Sequence, residues 1–199
     1  MNNRASERVL DAGAWRPRNS SSATERVISV FGSRRAELAF LAGTGVAAVL
    51  LHISVDMALK LPGHHGLEWM ALLMFARTLS TERHAAMVAA ASAAGMSLLP
   101  LTGMNPSAAI SYLLAGFVVD ALYRVVHRPN AGILGMIAAL GHVTKPLWKL
   151  VATKGATVHF GSIANGLGIT LAGHLLFGLV GGVAGALAGL AVRERLRRR

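Results

Sequence analysis

The residues able to do chemistry in this chain are histidines and lysines embedded in apolar sequence. His142, Lys145 and Lys149 stand at i, i+3 and i+7, which on an α-helix brings an imidazole and two amines within about 60° of one another. Pro146 lies among them. It has no N–H to give the carbonyl of His142 and clashes with it, so a helix here is expected to kink or break. His52 and Asp56 are four apart, the spacing at which a carboxylate fixes an imidazole tautomer. A compact segment follows, Lys60-Leu61-Pro62-Gly63-His64-His65-Gly66, and then Glu68 and Trp69. His159, Ser162, Asn165 and His174 complete the set. Amines and imidazoles suit a ligand with a carboxylate or phosphate, and Asp56 and Glu68 suit a cationic or hydroxyl end.

Several chemistries are excluded or disfavoured. Without cysteine there are no disulfides, thiolate-ligated metals or thiol nucleophiles. No His-Glu-x-x-His is present, and the adjacent His64 and His65 lack metal-ligand spacing. Gly161-Ser162-Ile163 is not the Gly-x-Ser-Gly of a membrane serine protease. Neither a catalytic residue, a metal nor a cofactor is therefore expected. A b-type haem protein, with axial ligands drawn from His52, His142 and His174, is a lesser alternative.

The elements that hold these residues are apolar. Of 199 residues, 53% are hydrophobic and 15% charged, with a mean hydropathy of +0.50; soluble domains carry roughly 25% charged residues. Nine acids and twenty bases do not cover a soluble core of this size. Lipid is the expected solvent. The net charge of +11 is concentrated at the two ends of the chain, as flanking charge on a membrane protein rather than a nucleic-acid surface, so no nucleic acid is expected as partner.

Apolar runs over Ala36–Leu59, Gly66–Leu79, His84–Leu101, Ser107–Val126, Ala131–Ala152 and Gly168–Val192 predict an all-α integral membrane protein, a bundle of six transmembrane helices. Basic residues test the count, because they collect on cytoplasmic loops. With the N-terminus inside, every arginine falls on the cytoplasmic side, Arg77, Arg83, Arg124 and Arg128 among them, whereas Lys60, Lys145, Lys149 and Lys154 fall on the outer half. Both termini are expected inside. Residues 1–35 read as a basic cytoplasmic arm lying on anionic lipid, 36–195 as the membrane domain and 196–199 as a basic tail. Ser33-Arg34-Arg35 matches only the arginine pair of a twin-arginine export signal.

Small residues mark where helices approach closely in lipid. Gly178, Gly181, Gly182, Gly185 and Gly189 share a face of the last helix, and His174 lies on the same stripe. Ala39, Gly43 and Ala47 form a second face on the first helix, open either to internal packing or to another membrane subunit. Asp120 and Arg124, at i, i+4, are expected to form an ion pair. Potential ligand contacts collect in the outer half: His52, Asp56, His64, His65, Trp69, His142, Lys145, Lys149, Asn165 and His174. The inner half looks nearly featureless. This asymmetry predicts a pocket open to the outside, although the two lysines have an ordinary alternative in reaching out to the interface beside Trp148. The segment 154–168 is a lid, a cap or simply a loop.

Six helices with both termini inside, the small face Ala39, Gly43 and Ala47, outer segments rich in contacts, and a glycine-rich last helix ending in Arg193-Glu194-Arg195 resemble the substrate-binding S component of energy-coupling factor (ECF) transporters. The resemblance covers about residues 36–195. It implies a multi-pass protein of the bacterial cell (inner) membrane that captures a vitamin-like small molecule from outside and catalyses nothing itself. It also implies partners: a transmembrane coupling subunit docked on the first helix, and ATPase subunits bound to that subunit. Gly43 stands where the family's docking face carries alanine. The cobalt and nickel members ligate metal through the N-terminal amine and a histidine after Met1; Asn2 occupies that place here, which points to an organic solute. The alternative is a membrane subunit, scaffold or assembly factor that transports nothing.

Overall fold

The computed structural model describes residues 31–55, 61–126, 129–152 and 160–198, with the backbone alone at 160–165 and 197. Asp56, Lys60, Lys154, His159 and residues 1–30 lie outside the described residues, as do the side chains of Ser162 and Asn165. All regular structure among the described residues is helical: α1 (Arg34–Ser54), α2 (Gly66–Leu79), α3 (Ala85–Ser97), a 3₁₀ turn at Pro100–Thr102, α4 (Ser107–Val125), α5 (Ala131–Ala152) and α6 (Phe160–Arg197). The helices pack in a closed circuit, α1–α2–α6–α5–α4–α3 and back to α1, with α2 leaning inward against α3 and α5 as well.

Three helices, α1, α4 and the Gly166–Leu196 part of α6, are long and apolar enough to cross a bilayer. Their outer faces are greasy: Phe117 is 62% exposed, Ile169 63% and Leu187 54%. Exposed apolar surface on this scale needs lipid or protein to cover it. The 14 residues of α2 extend only about 21 Å, and the 13 of α3 less, against an apolar layer of roughly 30 Å. α5 is long enough, but its second half carries His142, Lys145 and Lys149. It runs as continuous helix through the buried Pro146, so the expected break is absent. Helix packing on both sides holds a proline that an isolated helix would not tolerate.

Small residues set the spacing. Buried alanines along α3, Ala86, Ala89, Ala90 and Ala93, let α1 and α4 close on it, and Gly45 of α1 and Gly116 of α4 lie directly against its backbone. The glycines of α6 divide between two neighbours. Gly178 and Gly182 meet Ala138 and Ala139 of α5, while Gly181, Gly185 and Gly189 lie on Leu67, Ala71 and Thr78 of α2. Ala39 and Gly43, by contrast, face outward, Ala47 is half-buried, and nothing lies near the Cβ position of Gly43. Internal packing of α1 uses Leu41, Thr44, Gly45, Ala48 and Val49 instead.

The end of the bundle expected to be featureless is built on buried charge. Asp120 of α4 lies 3.3 Å from Nε of Arg77 on α2, both side chains almost wholly buried, and the Arg77 guanidinium sits 3.8 Å above the Tyr123 ring. The same carboxylate accepts the N–H groups of Ala86 (3.2 Å) and Met87 (2.9 Å). It thereby caps α3, whose own N-cap residue His84 supplies no side-chain bond. Arg124 instead pairs with His84 at 2.7 Å. The expected Asp120–Arg124 pair is therefore replaced, because contacts across helices claim both residues. Glu37 of α1 works similarly on the turn between α2 and α3, accepting from Ser80 Oγ (2.6 Å) and the N–H groups of Thr81 (2.6 Å) and Glu82 (3.0 Å).

Asp120→Ala strands a buried guanidinium and uncaps α3, and is expected to destabilise the fold by about 3–5 kcal/mol. Arg124→Ala is expected to cost at most about 1 kcal/mol. Thermal unfolding of the two variants in detergent compares them.

Candidate functional site

The opposite end of the bundle holds the histidines. A turn over Leu61–His65 leads into α2 and lies against the middle of α5 and α6, at His142 and at Gly173 and His174. Its pivot is Gly63, at φ +85°, a backbone conformation that a side chain rarely adopts. A Cβ there would come within 2.7 Å of the His174 backbone. The Gly63 carbonyl accepts from Nε2 of His142 at 3.2 Å, and the His142 ring lies against Gly66. That bond puts a proton on Nε2, leaving Nδ1 as the acceptor of the neutral ring.

His142 and His174, both buried, stack with ring centroids 4.7 Å apart and planes 25° from parallel. His174 Nδ1 donates to the carbonyl of Thr170 at 2.8 Å. Each ring thus spends one nitrogen on a backbone carbonyl. A second group joins the α1 end to the turn: His52 and His64 each lie 3.9 Å, centroid to centroid, from His65. His64 Nδ1 donates to the Leu61 carbonyl at 2.6 Å. Among the described residues no group of three histidine or acidic side chains is placed to hold a metal ion.

Three adjoining cavities surround these rings. The largest, about 550 Å³, lies between the turn, α5 and α6, and is lined by His64, His65, His142, Lys145, Lys149 and His174. A second, about 380 Å³, lies between α1, α4 and α5; Lys145 and Lys149 line it too, with His52, Met104 and Trp148. A narrow space of about 30 Å³ beside them is walled by His52, His65, Trp69, Tyr112, His142 and Lys145. Lys145 borders all three. Two of the volumes fall in the ordinary range of small-molecule sites.

The structure thus brings together His52, His64, His65, Trp69, His142, Lys145, Lys149 and His174 from four helices and one turn. Asp56 and the Asn165 side chain lie outside the described residues. Glu68, expected to meet a ligand, borders none of these three cavities; its carboxylate is buried with no hydrogen-bond partner among the described residues. Tyr112 was not singled out by sequence. It packs edge-on against Trp69, centroids 5.0 Å apart, and an aromatic in an apolar helix carries no signal that separates cavity wall from core.

No lining residue described for the three cavities is acidic. With lysine amines and imidazoles as the groups able to carry positive charge and no carboxylate among them, the walls complement an anion.

Gly63→Ala is expected to cost about 1–3 kcal/mol through its backbone conformation and to unseat the turn from His142. Hydrogen exchange over residues 61–66 reads that loosening, and Gly43→Ala, facing open space, leaves it unchanged. Compared with known proteins, the chain matches no family model, no curated protein and no solved structure.

Proposed function

We propose that this protein is a membrane-embedded solute-binding subunit that takes up a small carboxylate- or phosphate-bearing molecule at the histidine-rich end of a six-span bundle, with Lys145 as the principal anion contact. The observation that carries the reading is the position of Lys145, on the shared wall of three cavities lined by five histidines and by no acidic residue described. A lysine placed only to reach the interface would point away from the helix bundle. The short helices α2 and α3 complete the six spans as members of the same circuit, each flanked on both sides by a longer helix. Both termini lie in the cytoplasm in this reading, so the site opens outward in a bacterial inner membrane.

The resemblance to ECF S components supplies the wider frame. The outward face of Ala39, Gly43 and Ala47 then receives a coupling subunit, with the ATPase subunits on separate chains. The same outward face is what favours the second reading, a scaffold or assembly subunit that transports nothing. That reading leaves the lysine-lined cavities without a role.

Native mass spectrometry of the protein purified from its own membranes in mild detergent is expected to show a stoichiometric organic anion that Lys145→Ala loses. An empty protein held in a large assembly without ATPases supports the scaffold instead. Because the chain has no cysteine, orientation is testable with single substitutions. His64→Cys is expected to react with an impermeant maleimide added to intact cells, and Thr81→Cys only after the membrane is opened.

A further inference from the structure

We infer that the solute carries hydrogen-bond donors of its own beside its anionic group, as a hydroxylated carboxylate or a hydrogen phosphate does and a plain carboxylate or sulfate does not. This rests on the anion-site reading above and adds the substrate class. The largest cavity, of about 550 Å³, is lined by His64, His142, Thr170 and His174 together with the two lysines. Histidine and threonine can each donate or accept. Here the protons of all four of these side chains are already spent on backbone carbonyls.

His64 donates from Nδ1 to Leu61 at 2.6 Å, His142 from Nε2 to Gly63 at 3.2 Å, and His174 from Nδ1 to Thr170 at 2.8 Å. Thr170 Oγ1 donates to the Gly166 carbonyl at 2.7 Å. A neutral imidazole has a single N–H and a hydroxyl a single O–H. What these side chains have left for a ligand is therefore lone pairs: Nε2 of His64 and of His174, Nδ1 of His142, and the Thr170 oxygen. Turning any of the rings to present its N–H would break the bond to its carbonyl, and the stacking of His142 on His174 holds both in place.

The lysines have the opposite character. An ammonium group donates only, so Lys145 meets the oxygens of an anion and offers nothing to its hydroxyls. A plain carboxylate or sulfate only accepts. It would satisfy the amine and leave the imidazole nitrogens facing no donor. Because a polar group left without a partner away from water costs more than a formed bond gains, a wall of acceptors disfavours any analogue that lacks the matching O–H. An anion with a hydroxyl of its own satisfies both kinds of wall at once.

The test is isothermal titration of the full-length protein in nanodiscs at about pH 8, where an ordinary imidazole is neutral. Two matched pairs are compared: glycerate with propionate, which share a carbon skeleton, and inorganic phosphate with sulfate, which share a tetrahedral shape. The donor-bearing member of a pair is expected to bind at least about tenfold more tightly. A gap confined to the first pair assigns the donor to hydroxyls on carbon, and one confined to the second assigns it to the phosphoryl group; either supports the inference. Lys145→Ala is expected to weaken every anion that binds, whereas His64→Phe narrows the gap and leaves the plain anion as it was. The paired comparison uses the unaltered protein, so the outcome does not depend on a variant folding. Equal affinities within both pairs overturn the donor-bearing solute but keep the anion site. Failure of all these anions to bind overturns both.

Discussion

Backbone contact between α2 and α6 is the constraint on which the remaining arrangement depends. Gly181, Gly185 and Gly189 leave no side chain between the two helices, so α6 lies directly on Leu67, Ala71 and Thr78. A helix of 14 residues is thereby held in the ring, leaning inward against α3 and α5. Dispersion rather than hydrophobic drive stabilises such a contact in lipid, and it falls off steeply with separation. Because α2 packs so closely on α6, the turn that precedes it is drawn against the middle of α5 and α6. Gly63 meets His174 there, and Gly66 meets the His142 ring. The site is in this sense a consequence of the glycine seam one helix further along.

The two ends of the bundle use polarity differently. At one end, carboxylates and guanidinium are consumed in structure: Asp120 neutralises Arg77 and caps α3, and Glu37 holds the turn from α2 to α3. Buried charges of this kind survive only when each finds partners. At the other end, imidazoles engage backbone carbonyls through one nitrogen, and lysines border open volume. A satisfied network rigidifies, and the proposed ligand site lies at the other end, where cavities rather than ion pairs adjoin the polar side chains.

Much of the helical layout was legible in the sequence. The expected bounds of the second and fifth helices, Gly66–Leu79 and Ala131–Ala152, are those of α2 and α5, and the fourth differs by one residue. Proline, glycine and polar punctuation mark these ends in any context. Spacing on one helix also placed His142, Lys145 and Lys149 together, and the glycine stripe with His174 on a packed face. Legibility ended at partners. Asp120 and Arg124 are four apart on α4, yet each pairs with a residue of another helix, because an intrahelical pair is a weak competitor for a buried cation or a helix N-terminus. The small face of α1 was equally ambiguous: Ala39 and Gly43 face outward, Ala47 is half-buried, and Gly45 makes the close approach inside.

By itself the sequence determined the helical class, the apolar character that three helices carry to bilayer-spanning length, the separation of arginines from lysines, and the grouping of His142, Lys145 and Lys149 on one helix. These follow from composition and from periods of 3.6 residues, which are local properties of a chain. Only the tertiary structure decided that α5 passes Pro146 unbroken, that His142 stacks on His174, and that Lys145 borders three cavities, the narrowest of them walled by Tyr112. Each of those depends on which helices become neighbours and how near they come. That distance is set by glycines and alanines on partner helices far away in sequence, so no single stretch of the chain contains it.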